Sequence, residues 1–414
     1  MKFSKSSQLF LVSAIGLLVA ALLTACSITT IDYVFVASSA ASAASGNGQI
    51  DAYAVDSQSG ALRPVDEAVS TGGAGPVAMA VSSDYANLYV ANKGNNTVVH
   101  FSIASSGVLT QKDSVTIGGT PAALAVNTAG TWLYVVYSNA SSTPALSATL
   151  AAYPLSSGTI GAATAPVPLT LPGFATDFMV PTGITVLANN STVQGNALFI
   201  TAYDQSAYNP SGTTTSNANP GWVFGFTIGT GGALTASTGS PWQAGIKPSA
   251  LASDPTDRFV YVTDFASSQM IAYTILDGSK LSFLPNGPFV TGAEPSAIVI
   301  DPRGKFIYVA DALDSKVSSY AITRATGSPT AVLGTHSSPF GNTDPEPVAL
   351  TIDPALGRFL YVACLQGNSI SGFRTDPTSG SMSLTQSTPY PTGSEPTAVV
   401  SIPHGNTAVQ TVTP

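Results

Sequence analysis

From Glu294 to Asp311 the chain alternates apolar and polar blocks in a pattern that predicts a β-hairpin. Pro295 opens a run rich in β-branched residues, Ser-Ala-Ile-Val-Ile. Asp301-Pro302-Arg303-Gly304 has the composition of a tight turn, and Phe306-Ile307-Tyr308-Val309 reads as the returning strand. The two arms are nearly symmetric, which sets Glu294 beside Asp311 at the open end.

The same hairpin is written along the whole chain. Pro76, Pro121, Pro181, Pro248, Pro347 and Pro396 each open a comparable run. The second strand recurs at Leu88-Tyr89-Val90, Leu133-Tyr134-Val135, Leu198-Phe199-Ile200, Val260-Tyr261-Val262 and Leu360-Tyr361-Val362. No second strand follows Pro396, but Val34-Phe35-Val36-Ala37, near the start of the chain, has its pattern. A third strand ending in an aromatic recurs too, as at Gln269 to Tyr273 and Lys316 to Tyr320, followed by a Gly-containing turn. Repeats of about 45 to 65 residues, each with four strand-like pieces, predict an all-β, seven-bladed propeller. Its ring closes when Pro396–Ile402 pairs with Val34–Ala37, so that the first and last segments share one blade. Extra residues at 138–149, 188–196 and 203–221 make the third repeat irregular, and the last of these is long enough to suggest a functional or disordered loop.

Composition agrees with one repeat domain over 33–414. Charged residues are only 9% of the 414, and no linker splits the repeats. Residues 1–25 carry Lys2 and Lys5, then an apolar run from about Leu9 to Leu23, the layout of a secretory signal. Leu23-Thr24-Ala25-Cys26 resembles the bacterial lipobox, so Cys26 is expected to carry the lipid, with 26–32 as a short membrane-proximal linker. That implies a cell-envelope protein held to a membrane by its N-terminus. Removing Lys2 and Lys5 from 14 basic and 22 acidic residues leaves 12 against 22, a net charge of −10. Such a balance repels phosphate backbones, which excludes nucleic-acid binding. Only Cys364 remains as a free thiol, so no internal disulfide is expected, and the chain is read as a monomer.

The Pro-x-Ala-aliphatic-x-Val, Asp-Pro-x-Gly and Tyr-Val-x-Asp/Asn pattern, with a literal Tyr261-Val262-Thr263-Asp264, resembles the YVTN-type and lactonase-type seven-bladed propellers that include the 6-phosphogluconolactonases. The resemblance covers about 33–402 and implies a lactone hydrolase at the central channel, with a histidine after the opening proline in one or more blades. The matching positions here are Val77, Ala122, Thr182, Ser249, Ser296, Val348 and Thr397, none of which is a general base. His100, His336 and His404 fall elsewhere in the repeat.

What chemistry the channel mouth could hold is read from the residues before the prolines. Lys247, Glu294, Glu346 and Glu395 occupy four successive blades, and hairpin pairing is expected to bring Asn92, Asp264 and Asp311 to the same face. This acidic arc with Lys247 at its edge suits a small-molecule or protein ligand at the channel face. No cofactor is expected; a divalent cation at the arc is the less favoured alternative. Arg258, Arg303, Lys305 and Arg358 belong to the opposite face, beside turn aspartates. The leading reading is a lipid-anchored binding or interaction scaffold, with a lactonase-type hydrolase as the alternative.

Overall fold

A computed structural model describes residues 29–40, 46–139, 147–171, 178–188, 196–208, 219–285, 287–331, 341–405 and 408–411. The strands form seven sheets, each antiparallel and ordered from an inner strand outward. The inner strands of blades 1 to 6 are Pro76–Val81, Thr120–Val126, Met179–Val186, Pro248–Ser253, Pro295–Ile300 and Pro347–Ile352. In blade 7 the inner strand Ser394–Pro403 comes from the C-terminal end, while Thr30–Ala40, Gln49–Asp56 and Leu62–Pro64 come from the N-terminal end. Val34 pairs with Ser401, Phe35 with Val400, Val36 with Val399 and Ala37 with Ala398. The ring is thus closed by the expected segments.

Burial explains why the second strands read so uniformly. Phe259–Asp264, Phe306–Asp311 and Phe359–Cys364 are buried at every position, because each second strand lies between two neighbouring sheets. Apolar side chains alternate between the two junctions. Tyr89 and Val98 of blade 1 pack with Leu133 and Tyr153 of blade 2, while Leu88 and Phe101 pack back on Phe35 of blade 7. Each blade therefore contributes to two cores.

The tyrosine of the second strand also ties its blade to the next one. Tyr89 donates to the carbonyl of Gly158 at 2.7 Å, Tyr261 to Gly327 at 2.7 Å and Tyr361 to Gly60 at 2.8 Å. Gly327 has a φ of 71°, and a Cβ there would lie 2.4 Å from the Phe259 ring, so glycine is needed for both backbone and space. Tyr261→Phe is expected to lower stability by about 1–2 kcal/mol, because the Gly327 carbonyl loses its donor in a buried junction. Chemical denaturation should show a lower midpoint at unchanged slope; an unaltered midpoint would mean that the bond contributes nothing.

One irregularity recurs in all seven blades. Pro295 pairs with Asp311 but Ala297 with Ala310, so Ser296 is a bulged residue. The same step leaves Val77, Ala122, Thr182, Ser249, Val348 and Thr397 without a partner in the ladder. Because of this extra residue, Asn92, Asp264 and Asp311 face Pro76, Pro248 and Pro295 rather than Gly75, Lys247 and Glu294. The sequence expectation of Glu294 directly opposite Asp311 is corrected by one position.

At the other end of the hairpin in blades 4, 5 and 6 a turn aspartate, Asp254, Asp301 or Asp353, folds over the backbone. Asp254 Oδ1 accepts from the amides of Arg258 and Phe259, and Asp353 accepts from four, at Leu356, Gly357, Arg358 and Phe359. These carboxylates stabilise turns, in the manner of Asx motifs.

Candidate functional site: the channel mouth

The bulged residues stand where the inner strands enter the ring. Their hydroxyls are spent between blades: Ser249 Oγ donates to the Pro295 carbonyl at 2.5 Å, Ser296 Oγ to Pro347 at 2.6 Å and Thr397 Oγ1 to Pro76 at 2.7 Å. Thr182 Oγ1 turns instead to Thr201 Oγ1, at 2.9 Å. Val77, Ala122 and Val348 offer no polar atom. This tier holds the ring together and carries no ionisable group.

The rim lies one residue earlier. Glu294, Glu346 and Glu395 have φ values of 55°, 58° and 53°, the left-handed region that Gly75 occupies in blade 1 at 60°. A side chain in that region costs about 1 kcal/mol, and it is held there by the carbonyl: Glu294 accepts from the Ala312 amide and Glu346 from that of Leu365, as Gly75 does from Lys93. Glu294 and Glu346 are half-buried and Glu395 is exposed, its carboxylate accepting from Ser39 Oγ at 2.9 Å. Among the described residues no group of three or more His, Cys, Asp or Glu side chains is close enough to hold a metal ion, so the three glutamates do not converge on one point.

Asn92, Asp264 and Asp311 lie beneath this rim, with no solvent exposure. Asn92 donates to the Thr71 carbonyl. Asp264 accepts from the Ile246 and Lys247 amides and from Gln269 Nε2, at 2.9 to 3.0 Å, and so fixes the approach to the inner strand. The carboxyl of Asp311 is pushed up to about 7 by burial, with Asp314 adding to the effect, against bonds from Ser318 and the Gly292 amide that favour the charged form. A pKa near neutrality suits a general base, but a substrate cannot reach this carboxyl.

Lys247 is placed differently from the expected arc. Its Nζ lies over three aromatic faces, 4.6 Å from the ring centre of Phe265, 5.3 Å from Tyr208 and 5.9 Å from Tyr203. Tyr203 is the last residue but one of the second strand of blade 3, Tyr208 follows in the loop beyond it, and Phe265 follows the second strand of blade 4. The ring faces hold the ammonium by cation–π attraction. No sequence pattern links these residues.

The remaining candidates are accounted for locally. Buried His100 bonds Asp113 through Nδ1 at 2.6 Å and Asn87 through Nε2 at 2.8 Å, and stacks on Tyr89. His404 lies edge-on to Tyr33. Cys364 is fully buried, and burial pushes its thiol pKa up, which makes it a poor nucleophile. Cys26, His336 and residues 140–146, 189–195 and 209–218 of the three extra segments fall outside the described residues. Two concavities lie outside the inner strands, one of about 250 Å³ at the rim end of blade 4 beside Gln243, Gln269 and Phe283, another of about 430 Å³ on the outer half of blade 6.

Seven radial sheets, a closing blade made from both chain ends and a polar rim around the inner strands define a propeller of the lactonase class. Residues 47–149, 232–343 and 279–401 match the family described as lactonase, 7-bladed beta-propeller, and the chain belongs to that family. Among solved structures, a candidate 6-phosphogluconolactonase of Bacteroides fragilis superposes with a TM-score of 0.69 at 16% identity, covering 91% of this chain and 99% of that one. The periplasmic gluconolactonase PpgL of Pseudomonas aeruginosa gives 0.69 at 18%, covering 90% and 99%. A Sulfolobus tokodaii protein described as a hypothetical selenium-binding protein gives 0.65 at 12%, covering 93% and 96%. At these identities the likeness is one of fold, and the fold serves more than one chemistry. No curated protein sequence matches the chain.

Proposed function

We propose that this lactonase-family propeller is a lipid-anchored protein of the cell envelope that uses its channel rim to bind a small molecule or a protein without hydrolysing it. One observation carries the reading: the tier behind the rim has no ionisable side chain in any of the seven blades, and Ser249, Ser296 and Thr397 spend their hydroxyls on the next blade. Lactone hydrolysis needs a base within hydrogen-bond reach of water or substrate. The reachable carboxylates, Glu294, Glu346 and Glu395, are spread over three blades, and burial withholds Asp311. The catalytic test is turnover of sugar lactones, which the protein is expected to leave intact.

Family membership favours a second reading, a lactonase-type hydrolase with one rim glutamate as base. That reading requires a single rim carboxylate to activate water with no ionisable partner in the tier behind it, and it is the weaker of the two.

The membrane anchor rests on the apolar run before Leu23-Thr24-Ala25-Cys26. Thr30 enters blade 7 opposite Asp56, at the end of the ring away from the glutamates. A lipid on Cys26 would then hold that end near the bilayer and leave the rim facing outward. Cys26→Ser is expected to shift the protein from the membrane fraction to the soluble one; a variant that stays with the membrane, or a wild-type mass without acyl chains, would remove the anchor.

A further inference from the structure

All six arginines lie at the end of the ring where Thr30 enters: Arg63, Arg258, Arg303, Arg324, Arg358 and Arg374 sit in or beside turns between first and second or third and fourth strands. Most have local partners. Arg303 pairs with Asp301 at 3.2 Å and reaches the Gly357 carbonyl at 2.7 Å, Arg258 donates to the carbonyls of Arg324 and Ala325, and Arg324 donates to that of Arg303. Arg358 and Arg374 differ. Neither guanidinium has an ion pair or hydrogen bond within the described residues, and Arg358 Nε is buried with no partner.

These two arginines line the same hollow, of about 430 Å³, with Ser381 and Ser383 on its wall. Arg374 pairs across the ladder with Phe359, the residue after Arg358, and on its other side with Ser383. Asp376 also lines the hollow and feels the charge of Arg358, but its Oδ1 accepts the Thr378 and Ser379 amides at 2.8 Å each and it forms no ion pair with either arginine, so the lining keeps two cations against one carboxylate. A buried guanidinium nitrogen without an acceptor is costly, and a tetrahedral oxyanion would supply acceptors to both forks and to the serine hydroxyls together. We propose that the Arg358–Arg374 hollow of blade 6 is a binding site for a phosphate group. Its volume leaves room for the rest of a phosphate ester. The phosphate could belong to a soluble ester or to a phospholipid headgroup, and the site's position at the Thr30 end of the ring makes both sources accessible.

The test titrates inorganic phosphate, then glycerol 3-phosphate, calorimetrically into the full chain carrying Cys26→Ser in phosphate-free buffer. Saturable binding is expected, weakened at least about tenfold by Arg374→Gln and by Arg358→Gln. Arg374 is exposed, so an unchanged melting temperature in its variant separates lost binding from lost fold. Sedimentation with phosphatidylcholine vesicles, with and without phosphatidylglycerol, identifies the source. Retention on the phosphatidylglycerol vesicles that free phosphate competes away points to a headgroup, and phosphate binding without vesicle binding points to a soluble ester. Absence of saturable phosphate binding, or equal affinity in the folded Arg374→Gln variant, would overturn the site.

Discussion

Removal of residues 394–414 is expected to abolish cooperative folding. The lost segment is the inner strand of blade 7, which pairs with Thr30–Ala40 from Asp32 to Ala40. Its Ala398, Val399 and Ile402 are buried, and their loss would expose Phe35 and Val36, which are fully covered. Burial of side chains of this size contributes about 1.5–3 kcal/mol each, so the total is comparable to the whole stability of a typical domain, about 5–15 kcal/mol. An unpaired second strand would also present a sheet edge that favours aggregation. Thermal unfolding of the truncated chain should lack a sharp transition, whereas Thr397→Val, which loses the hydroxyl's contacts with the Pro76 and Ala37 carbonyls at 2.7 and 3.3 Å, should cost about 1 kcal/mol. A truncated protein that melts like the full chain would contradict ring closure.

Stability is also expected to fall as pH rises from mildly acidic to alkaline. Asp32 and Asp353 are both buried without exposure, from strands and turns near opposite ends of the chain. Asp353 is covered by four amides, while Asp32 has only the Ala355 amide to favour its charged form. Burial, and then the charge of Asp353, push the Asp32 carboxyl up to about 9, so the pair keeps one proton that Asp32 donates toward Asp353. A folded-state pKa above the unfolded value means that the fold binds the proton more tightly. The stabilising contribution is complete below the ordinary carboxylate range and is lost as pH rises through about 9; Asp311 adds a smaller loss through about 7. The limit for one proton is about 1.4 kcal/mol per pH unit. Asp32→Asn keeps a donor for Asp353 without a titrating proton, so its melting temperature should change less between pH 5 and pH 9 than that of the wild type. Parallel curves would place the proton elsewhere.

Ring closure was legible because its evidence is periodic. Seven prolines and six copies of the second strand leave one strand missing, and Val34–Ala37 has the required pattern. The bulge after each proline was not legible, since small residues such as Ala122 and Ser296 fit a regular strand and a bulged one equally well. That single added residue moves the pairing, and with it Asn92, Asp264 and Asp311 were expected at a mouth beneath which they are in fact buried. Lys247 was found by its position before Pro248, but its aromatic surroundings come from Tyr203, Tyr208 and Phe265, which share no repeat position. Asp32 and Asp353 meet only because the ring closes. Their sequence signal was an aspartate beside an apolar strand, which Asp254 and Asp301 share.

The most direct test of binding without hydrolysis is lactone turnover at the channel mouth, measured with glucono-δ-lactone and its 6-phosphate alongside the triple variant Glu294→Gln, Glu346→Gln, Glu395→Gln. The phosphorylated substrate would meet three carboxylates on the rim, with Lys247 already held against Phe265 at 4.6 Å and Lys93 on the far side of the ring beside Gly75. Wild type and variant are expected to match the buffer rate with both substrates. Hydrolysis above that rate, abolished by the glutamine substitutions in a folded protein, would contradict the account and make the rim a catalytic site.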